Sequence, residues 1–241
     1  MHNVAPFWGW EIAVYHFLGG LAAGLMIVSA IAKRESFAMR LLPFGAPLAL
    51  SVGMGALFLD LGSKLHVFRF YTAFRVTSPM SWGAWILLLI YPATILYGLR
   101  PTETLRRVNL ALGVALGAYT GILLATLTAR AAWGSLFLGP LFLVSGVSAG
   151  AALTMFLPLT ESERKAIRRW DLVAIGAEAV VLGFFFLDLV AAGGARGRAA
   201  ASLFFGGPFT AVFWSLVVIA PALVLIGGFA LRWILVAAGQ I

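Results

Sequence analysis

Apolar segments long enough to cross a lipid bilayer fill this chain almost from end to end. A spanning helix needs about 20 apolar residues, because the hydrocarbon core is roughly 30 Å thick and each residue adds about 1.5 Å. Hydrophobic residues make up 62% of the chain and charged residues 11%, whereas soluble domains are nearer half apolar and a quarter charged. We therefore expect an all-α polytopic membrane protein. Seven spans are predicted, at about 9–32, 41–63, 81–99, 107–128, 135–158, 169–192 and 208–235.

The span pattern also limits the organisation of the chain. A transmembrane β-barrel would show short segments of alternating polarity, and the unbroken run 86–90 does not alternate. An eighth helix would require 201–241 to divide at Pro221. The first span lacks the basic start of a signal peptide, so we expect it to be retained. One membrane domain, 1–241, is predicted, with sub-bundles 1–130 (helices 1–4) and 131–241 (helices 5–7).

Two predicted helices share a sequence pattern. Trp8 precedes the run Gly20–Gly24 in the first, and Trp133 precedes the run Gly146–Gly150 in the fifth. Small residues at four-residue spacing let helices approach closely in lipid, where no hydrophobic force drives association. We therefore expect these glycines at helix interfaces and the two sub-bundles in a parallel arrangement.

Basic residues are distributed unevenly between the two predicted faces. The net charge is +8. Eleven basic residues fall on one side, counting Arg232 near the end of the last span, and six fall on the other. Because basic residues favour cytoplasmic loops, the N-terminus is predicted outside the cytoplasm. The basic residues are distributed as in a membrane protein, and no nucleic acid is expected as a partner.

The six basic residues of the predicted outer face suggest a contact surface. They accompany aromatic side chains in a long loop after helix 2 and lie in later outer loops. We interpret them as a docking site for a partner subunit, with contact to lipid headgroups as the alternative. They are Lys64, Arg69, Arg75, Arg130, Arg196 and Arg198.

The residue inventory excludes several cofactors from this protein. There are no cysteines, so cysteine-ligated zinc and iron–sulfur clusters are excluded. A bis-histidine haem needs two histidines on facing helices, but His2 is terminal and His66 is in a loop. The three lysines fall in loops, so none lies in the last helix, where a retinal protein needs one to form its Schiff base. No haem or metal is expected.

The first span carries a carboxylate, a phenol and an imidazole at graded depth. Glu11 and Tyr15 share one helical stripe, and His16 lies on the adjacent stripe with glycines. Because the glycine stripe is expected to face another helix, His16 is predicted to face the bundle. Such groups can exchange protons with a small redox molecule. The alternative is a glutamate that reaches the interface and a buried histidine with satisfied hydrogen bonds.

Three further polar residues fall in the same outer half. Asp60 ends the second span, where Lys64 is a plain i,i+4 partner. Ser78 precedes Pro79 in an ordinary N-cap arrangement. Tyr119 lies between two glycines in mid-helix, so its hydroxyl is predicted to point into a helix interface or cavity.

The sixth span carries three carboxylates. Asp171 is expected to pair with Arg168 at the inner mouth, and Asp188 with Arg196 at the outer one. Glu178 lies near mid-membrane, where an unpaired charge costs roughly 2.5–3.5 kcal/mol. It is therefore expected to be protonated, paired or facing water. Glu178 and Asp188 are the predicted proton path.

The order of several motifs resembles the NrfD/PsrC family, the polysulfide-reductase-like integral membrane subunits. The motif from Ser78 to Gly83 is the most specific of them. The motifs are Trp10, Tyr15 and Gly19–Gly24 in helix 1, Leu59–Gly62 and Ser78–Gly83 at the helix 2–3 junction, Gly117–Gly121 with Trp133 downstream, and Gly227–Arg232 with Gly239-Gln240 at the C-terminal end.

The resemblance implies a subunit of the prokaryotic cytoplasmic (inner) membrane that binds menaquinone or another quinone near the extracytoplasmic face. It implies electron exchange with a ferredoxin-like iron–sulfur subunit that serves a molybdenum or tungsten catalytic subunit, so that quinol is oxidised or quinone reduced on this subunit. It also implies a helix 1 histidine and a helix 4 tyrosine at the quinone. Tyr119 matches the tyrosine, but counting back from the glycine run places Tyr15 rather than His16 at the expected position. The predicted quinone site is Glu11, Tyr15, His16, Asp60, Ser78 and Tyr119.

Two other functions stay open from the sequence. The protein could be a proton or solute transporter that uses Glu178 and Asp188, in which case it would transport in liposomes by itself, without quinone. It could also be a purely structural membrane tether, in which case removing the polar groups of Glu11 and His16 would have no effect.

Overall fold

A computed structural model describes residues 10–60, 79–126, 133–194 and 221–238. These residues form helices and connections and contain no β-strand. The helices are α1 Trp10–Ile31, α2 Phe37–Asp60, α3 Pro79–Leu99, α4 Glu103–Ala125, α5 Leu138–Thr154, α6 Glu161–Ala191 and α7 Pro221–Ala238. By length and composition, α1 to α4 and α6 can cross a membrane, and α5 is a shorter apolar helix. The predicted all-α polytopic fold is confirmed; residues 208–220, where an eighth helix would begin, lie outside the described ranges.

Two helices begin earlier than their hydropathy indicates, because polar caps extend them beyond the apolar segment. At the start of α6, the Thr160 hydroxyl accepts a hydrogen bond from the Glu163 N–H, and the Glu163 carboxylate accepts one from the Thr160 N–H. This capping box starts the helix well before the predicted 169. The Thr102 hydroxyl caps α4 in a similar way. The basic residues expected in the loop before residue 169 therefore lie in the first turns of α6.

Helix α1 is the centre of the structure. It packs against α2, α4, α5 and α7, and most of its residues are buried, including small ones in its middle. It therefore contacts helices from both predicted sub-bundles. The division of the chain near residue 130 stays a prediction.

Helices α1 and α5 make backbone contact through their glycine runs. Gly20 lies opposite Gly146, and Gly24 lies opposite Gly150. A Cβ atom at Gly146 would lie 2.6 Å from the carbonyl oxygen of Gly20, and one at Gly24 would overlap the carbonyl oxygen of Gly146. The pairing shows that the two helices run in the same direction. The expectation that these glycines lie at a helix interface is confirmed.

The C-terminal end of α1 is tied to its neighbours by polar side chains. The Tyr97 hydroxyl donates to the carbonyl of Ser29 at 2.9 Å, and Arg106 donates to the carbonyl of Ala30 at 3.0 Å. Both carbonyls belong to the last turn, where no helical N–H is available. Nearby, the buried carboxylate of Glu163 accepts two backbone N–H groups of the α1–α2 connection at 2.8 Å. This end of α1 is therefore fixed in place.

The glycine contact predicts the result of adding one methyl group. In Gly24→Ala the new Cβ meets backbone atoms of α5, which cannot rotate away, so we expect a loss of about 1–3 kcal/mol of stability. The measurement is thermal unfolding of the purified protein in detergent. The matched control is Gly176→Ala on α6, where a Cβ has nothing within 4 Å and alanine favours the helix by roughly 0.8–1 kcal/mol. Equal melting temperatures for the two variants would contradict the packing.

Candidate functional site

His16 is buried in α1 with one ring nitrogen unpartnered. Its side chain is 3% exposed, which confirms that it faces the bundle. Nδ1 lies 2.8 Å from the Ile12 carbonyl oxygen. Because a carbonyl only accepts, Nδ1 carries the hydrogen, and in the neutral ring Nε2 is left with a free lone pair. Nε2 has no hydrogen-bond partner among the described residues. Buried polar atoms without a partner are rare in proteins, so this nitrogen is a candidate contact for a ligand.

The surroundings of the His16 ring are aromatic. The Tyr15 ring lies edge-on to it at a centroid distance of 5.3 Å, and the Phe142 ring of α5 does so at 5.8 Å. Tyr15 is itself buried, and Gly53 of α2 packs against its backbone. Tyr15 and His16, the two helix 1 candidates for the quinone contact, are therefore in direct ring contact, and α2 and α5 lie on either side of them.

Tyr119 is buried at a different interface. Its phenol lies against Gly83 of α3, where an added Cβ would overlap the hydroxyl oxygen. The prediction that the hydroxyl points into a helix interface is confirmed. Its glycine neighbours at 117 and 121 face α5 instead, because two residues along a helix turn the side chain through about 200°.

The packing of α4 on α1 sets the level of Tyr119 relative to His16. A Cβ at Gly19 would lie 3.8 Å from the Thr120 methyl group, so these two residues face each other. Gly19 is three residues from His16, or about 4.5 Å along the helix axis. Tyr119 is therefore within about one helical turn of the His16 level.

The other predicted quinone-site residues are placed only in part. Glu11 is half-buried in the first turn of α1. Asp60 is the last residue of α2, and its side chain lies outside the described part, as does Ser78. The six basic residues of the predicted docking surface also lie outside the described ranges.

Arg232 is the residue that the sequence interpretation misplaced. The sequence predicts it among the basic residues of the inner face, but its side chain is fully buried. Nε donates to the His16 carbonyl at 3.1 Å, and Nη2 donates to the Phe142 carbonyl at 3.3 Å. Nη1 donates to the Ser145 hydroxyl and the Gly228 carbonyl, each at 3.0 Å. The arginine belongs to the surroundings of His16.

Asp171 also differs from its prediction. We expected a surface pair with Arg168, but Asp171 is 5% exposed and accepts a hydrogen bond from the Ser148 hydroxyl of α5 at 3.0 Å. Glu178 lies two turns further along the same face of α6, half-buried. Ser145 of α5 and the Arg232 guanidinium lie near its carboxyl group. The mid-membrane carboxylate therefore has a buried cation nearby.

Asp188 is half-buried near the C-terminal end of α6. Its expected partner Arg196 lies outside the described residues. The proton path through Glu178 and Asp188 stays a prediction. A signal for the polar contacts between α5 and α6 was present in the sequence: Asp171 and Glu178 are seven residues apart, which puts both on one helical face.

The contact of Tyr119 with Gly83 predicts a coupled pair of substitutions. Gly83→Ala places a methyl group on the phenol, so we expect it to destabilise the protein by about 1–3 kcal/mol. In a Tyr119→Leu background the same change should cost much less, because the smaller side chain leaves the space free. Thermal unfolding of the two single variants and the double variant measures the coupling. Additive losses would show that the two residues do not touch.

The sequence is similar to several known proteins. The family model described as "Polysulphide reductase, NrfD" matches residues 1–221. The C subunit of polysulfide reductase from Wolinella succinogenes is 28% identical over 249 residues, 86% of this chain and 78% of its own. Protein NrfD of Escherichia coli is 26% identical, over 88% of this chain and 81% of its own. The Hdr-like menaquinol oxidoreductase integral membrane subunit of Archaeoglobus fulgidus is 26% identical, over 97% of this chain and 66% of its own. Since the family match covers most of the sequence, the chain belongs to the NrfD family of polysulphide reductase membrane proteins.

Proposed function

We propose that this protein is the quinone-reactive membrane subunit of a multi-subunit respiratory oxidoreductase. The observation that carries the proposal is the unpartnered Nε2 of His16, buried beside a second aromatic hydrogen-bonding residue, Tyr15. One relative is named as a membrane subunit of a menaquinol oxidoreductase, and another as part of polysulfide reductase. Both names belong to redox enzymes, and the first names the quinol chemistry that a buried imidazole would serve.

The residues around His16 suit a quinone headgroup. A quinol hydroxyl needs an acceptor, and Nε2 offers a lone pair that no described residue occupies. The edges of Tyr15 and Phe142 provide an apolar surface for a flat ring. Tyr119, on a neighbouring helix at a similar depth, supplies a phenol that can donate to or accept from the second oxygen.

Oxidation of a bound quinol supplies two electrons and two protons. His16 takes the two protons at Nε2 one after the other and releases the first before it accepts the second, and the Nδ1–H bond to Ile12 holds the ring in the tautomer that allows it. Glu11 lies five residues nearer the N-terminus, about 7.5 Å along the axis, where its half-buried carboxylate can pass a proton to water. In the reverse direction the same groups return protons to a quinone.

The electrons require a partner. The sequence has no cysteine and so cannot ligate an iron–sulfur cluster through thiolates. We assign that role to a ferredoxin-like iron–sulfur subunit on the extracytoplasmic side, which serves a molybdenum or tungsten catalytic subunit. The proposed docking surface is the outer set of basic residues, and Asp60 and Ser78 would join the quinone site beside it.

Substitution of the site residues tests the quinone role. In His16→Gln and Tyr119→Phe we expect quinol-dependent turnover of the assembled complex to fall by roughly 10²-fold or more, because the proton acceptor or its partner hydroxyl is lost. Turnover with an artificial dye that bypasses the membrane subunit should be kept. The matched control is Tyr91→Phe, a half-buried tyrosine of α3 whose hydroxyl bonds Ser51, and its quinol activity should be unchanged.

Other outcomes of that experiment favour the other functions. Full quinol activity in both site variants would contradict the site and leave a structural tether. Proton or solute transport by the purified protein in quinone-free liposomes would instead support the transporter, with Glu178 and Asp188 as the first residues to substitute.

The predicted topology can be tested with single cysteines, because the sequence has none of its own. Arg100→Cys lies in the exposed α3–α4 connection, and Leu136→Cys lies at an exposed position before α5. With the N-terminus outside, a membrane-impermeant maleimide added to intact spheroplasts should label residue 136. It should label residue 100 only after permeabilisation. The opposite pattern would place the proposed quinone site in the cytoplasmic half.

A further inference from the structure

Arg232 joins α1 and α5 at equivalent positions. Its guanidinium bonds the main-chain oxygens of His16 on α1 and Phe142 on α5. These two positions are as far apart in residue number as Gly20 and Gly146, which face each other in the glycine contact. One side chain from α7 therefore bridges matched carbonyls of two parallel helices. Arg232 lies beyond the 1–221 family match.

The same side chain is packed against the residues that shape the site. Its guanidinium carbon lies 5.2 Å from the centroid of the Phe142 ring, which in turn lies edge-on to the His16 ring. It also fills the space over Gly20, where an added Cβ would overlap Nη2 and lie 2.9 Å from Cζ. The guanidinium therefore contacts α1 and α5 at several points around one level.

The buried guanidinium of Arg232 is stabilised by hydrogen bonds from its donors. Burying a guanidinium without hydrogen bonds is very costly. Arg232 has three carbonyl acceptors and the Ser145 hydroxyl. A guanidinium with this many hydrogen bonds has little freedom to rotate. It therefore holds the bonded carbonyls at fixed positions relative to one another.

We propose that Arg232 is a positioning residue for His16. By bonding the His16 and Phe142 carbonyls together, it fixes the edge-to-face packing of the two rings and with it the orientation of the unpartnered Nε2. The inference rests on the proposed function, since it assigns what orients the proton acceptor of the quinone site. A planar guanidinium has several donors in a fixed fork, so it can span two carbonyls that a single lysine ammonium cannot hold in the same geometry.

Nitrogen-15 NMR of the histidine side chains tests the positioning without any quinone. The sequence has three histidines, so a His2→Gln, His66→Gln background leaves only the signals of His16. We expect one tautomer, with Nδ1 protonated, in the parent protein. In Arg232→Gln the ring should lose its fixed packing, and the two nitrogen signals should move together as tautomers exchange. Unchanged signals would overturn the proposal.

The matched control is Arg106→Gln. Arg106 also donates to a carbonyl of α1, but at Ala30, about 21 Å along the helix from His16. Its substitution should leave the His16 signals and the quinol-dependent turnover unchanged. Signals that change equally in both variants would mean that any loosening of α1 disturbs the ring, which would also overturn the assignment to Arg232.

Kinetics of the assembled complex provide the functional half of the test. We expect Arg232→Gln to lower the quinol-dependent kcat by roughly 10- to 100-fold, as misplacement of an acceptor by about an ångström does, while dye-dependent turnover is kept. Arg232→Lys should recover only a small part. Full recovery by lysine would show that positive charge alone suffices and would overturn the positioning role.

A second variant keeps the proposal testable if Arg232→Gln does not assemble. Gly20→Ala adds one methyl group in the space of the guanidinium and removes neither the charge nor its acceptors. It must reproduce the mixed His16 signals and the loss of kcat, and a parent-like result would contradict the proposal. If His16→Gln retains full quinol activity, the proposed function fails, while the NMR result still decides whether Arg232 positions the ring.

Discussion

The backbone contact between α1 and α5 is the constraint on which the described structure depends. Lipid provides no hydrophobic drive for two apolar helices to associate, so close packing and hydrogen bonds must hold them together. Gly24 and Gly150 bring the two backbones together. Only at such a distance can one guanidinium reach carbonyls of both helices, as Arg232 does. The glycines thus permit the polar contacts that surround His16.

Much of the fold could be predicted because hydropathy and helical periodicity are local properties of the sequence. The spans follow from segment length, and the burial of His16 follows from its place on the glycine stripe of α1. The starts of α4 and α6 were missed because hydropathy does not register a polar first turn. The caps at Thr102 and Thr160 were visible in the sequence, since each is a threonine before a charged helical turn.

The surroundings of His16 were less predictable, for a physical reason. A charged residue near the end of an apolar helix is usually assigned to the membrane surface, and Arg232 was assigned in this way. Three of its acceptors are main-chain carbonyls. Because every residue carries one, the sequence does not show which carbonyls accept these bonds. Asp171 was misassigned because Arg168 is near in sequence, whereas its hydrogen-bond donor, Ser148, is on another helix. Contacts between helices set these positions.

His16 is not alone in having a buried atom without a partner, so its chemistry must distinguish it. Within the described ranges, Thr94 Oγ1, Asn109 Oδ1 and Arg34 Nε share this property. Hydroxyl, amide and guanidinium groups neither take up nor release protons near neutral pH, and an imidazole does. Asn109 and Arg34 also form hydrogen bonds through other side-chain atoms, and these bonds lie near the C-terminal end of α1 or just beyond it. His16 lies towards the N-terminal end of α1, beside Tyr15. Among these four groups, His16 is therefore the one suited to proton-coupled chemistry. The contacts that keep its ring oriented are the constraint that matters most.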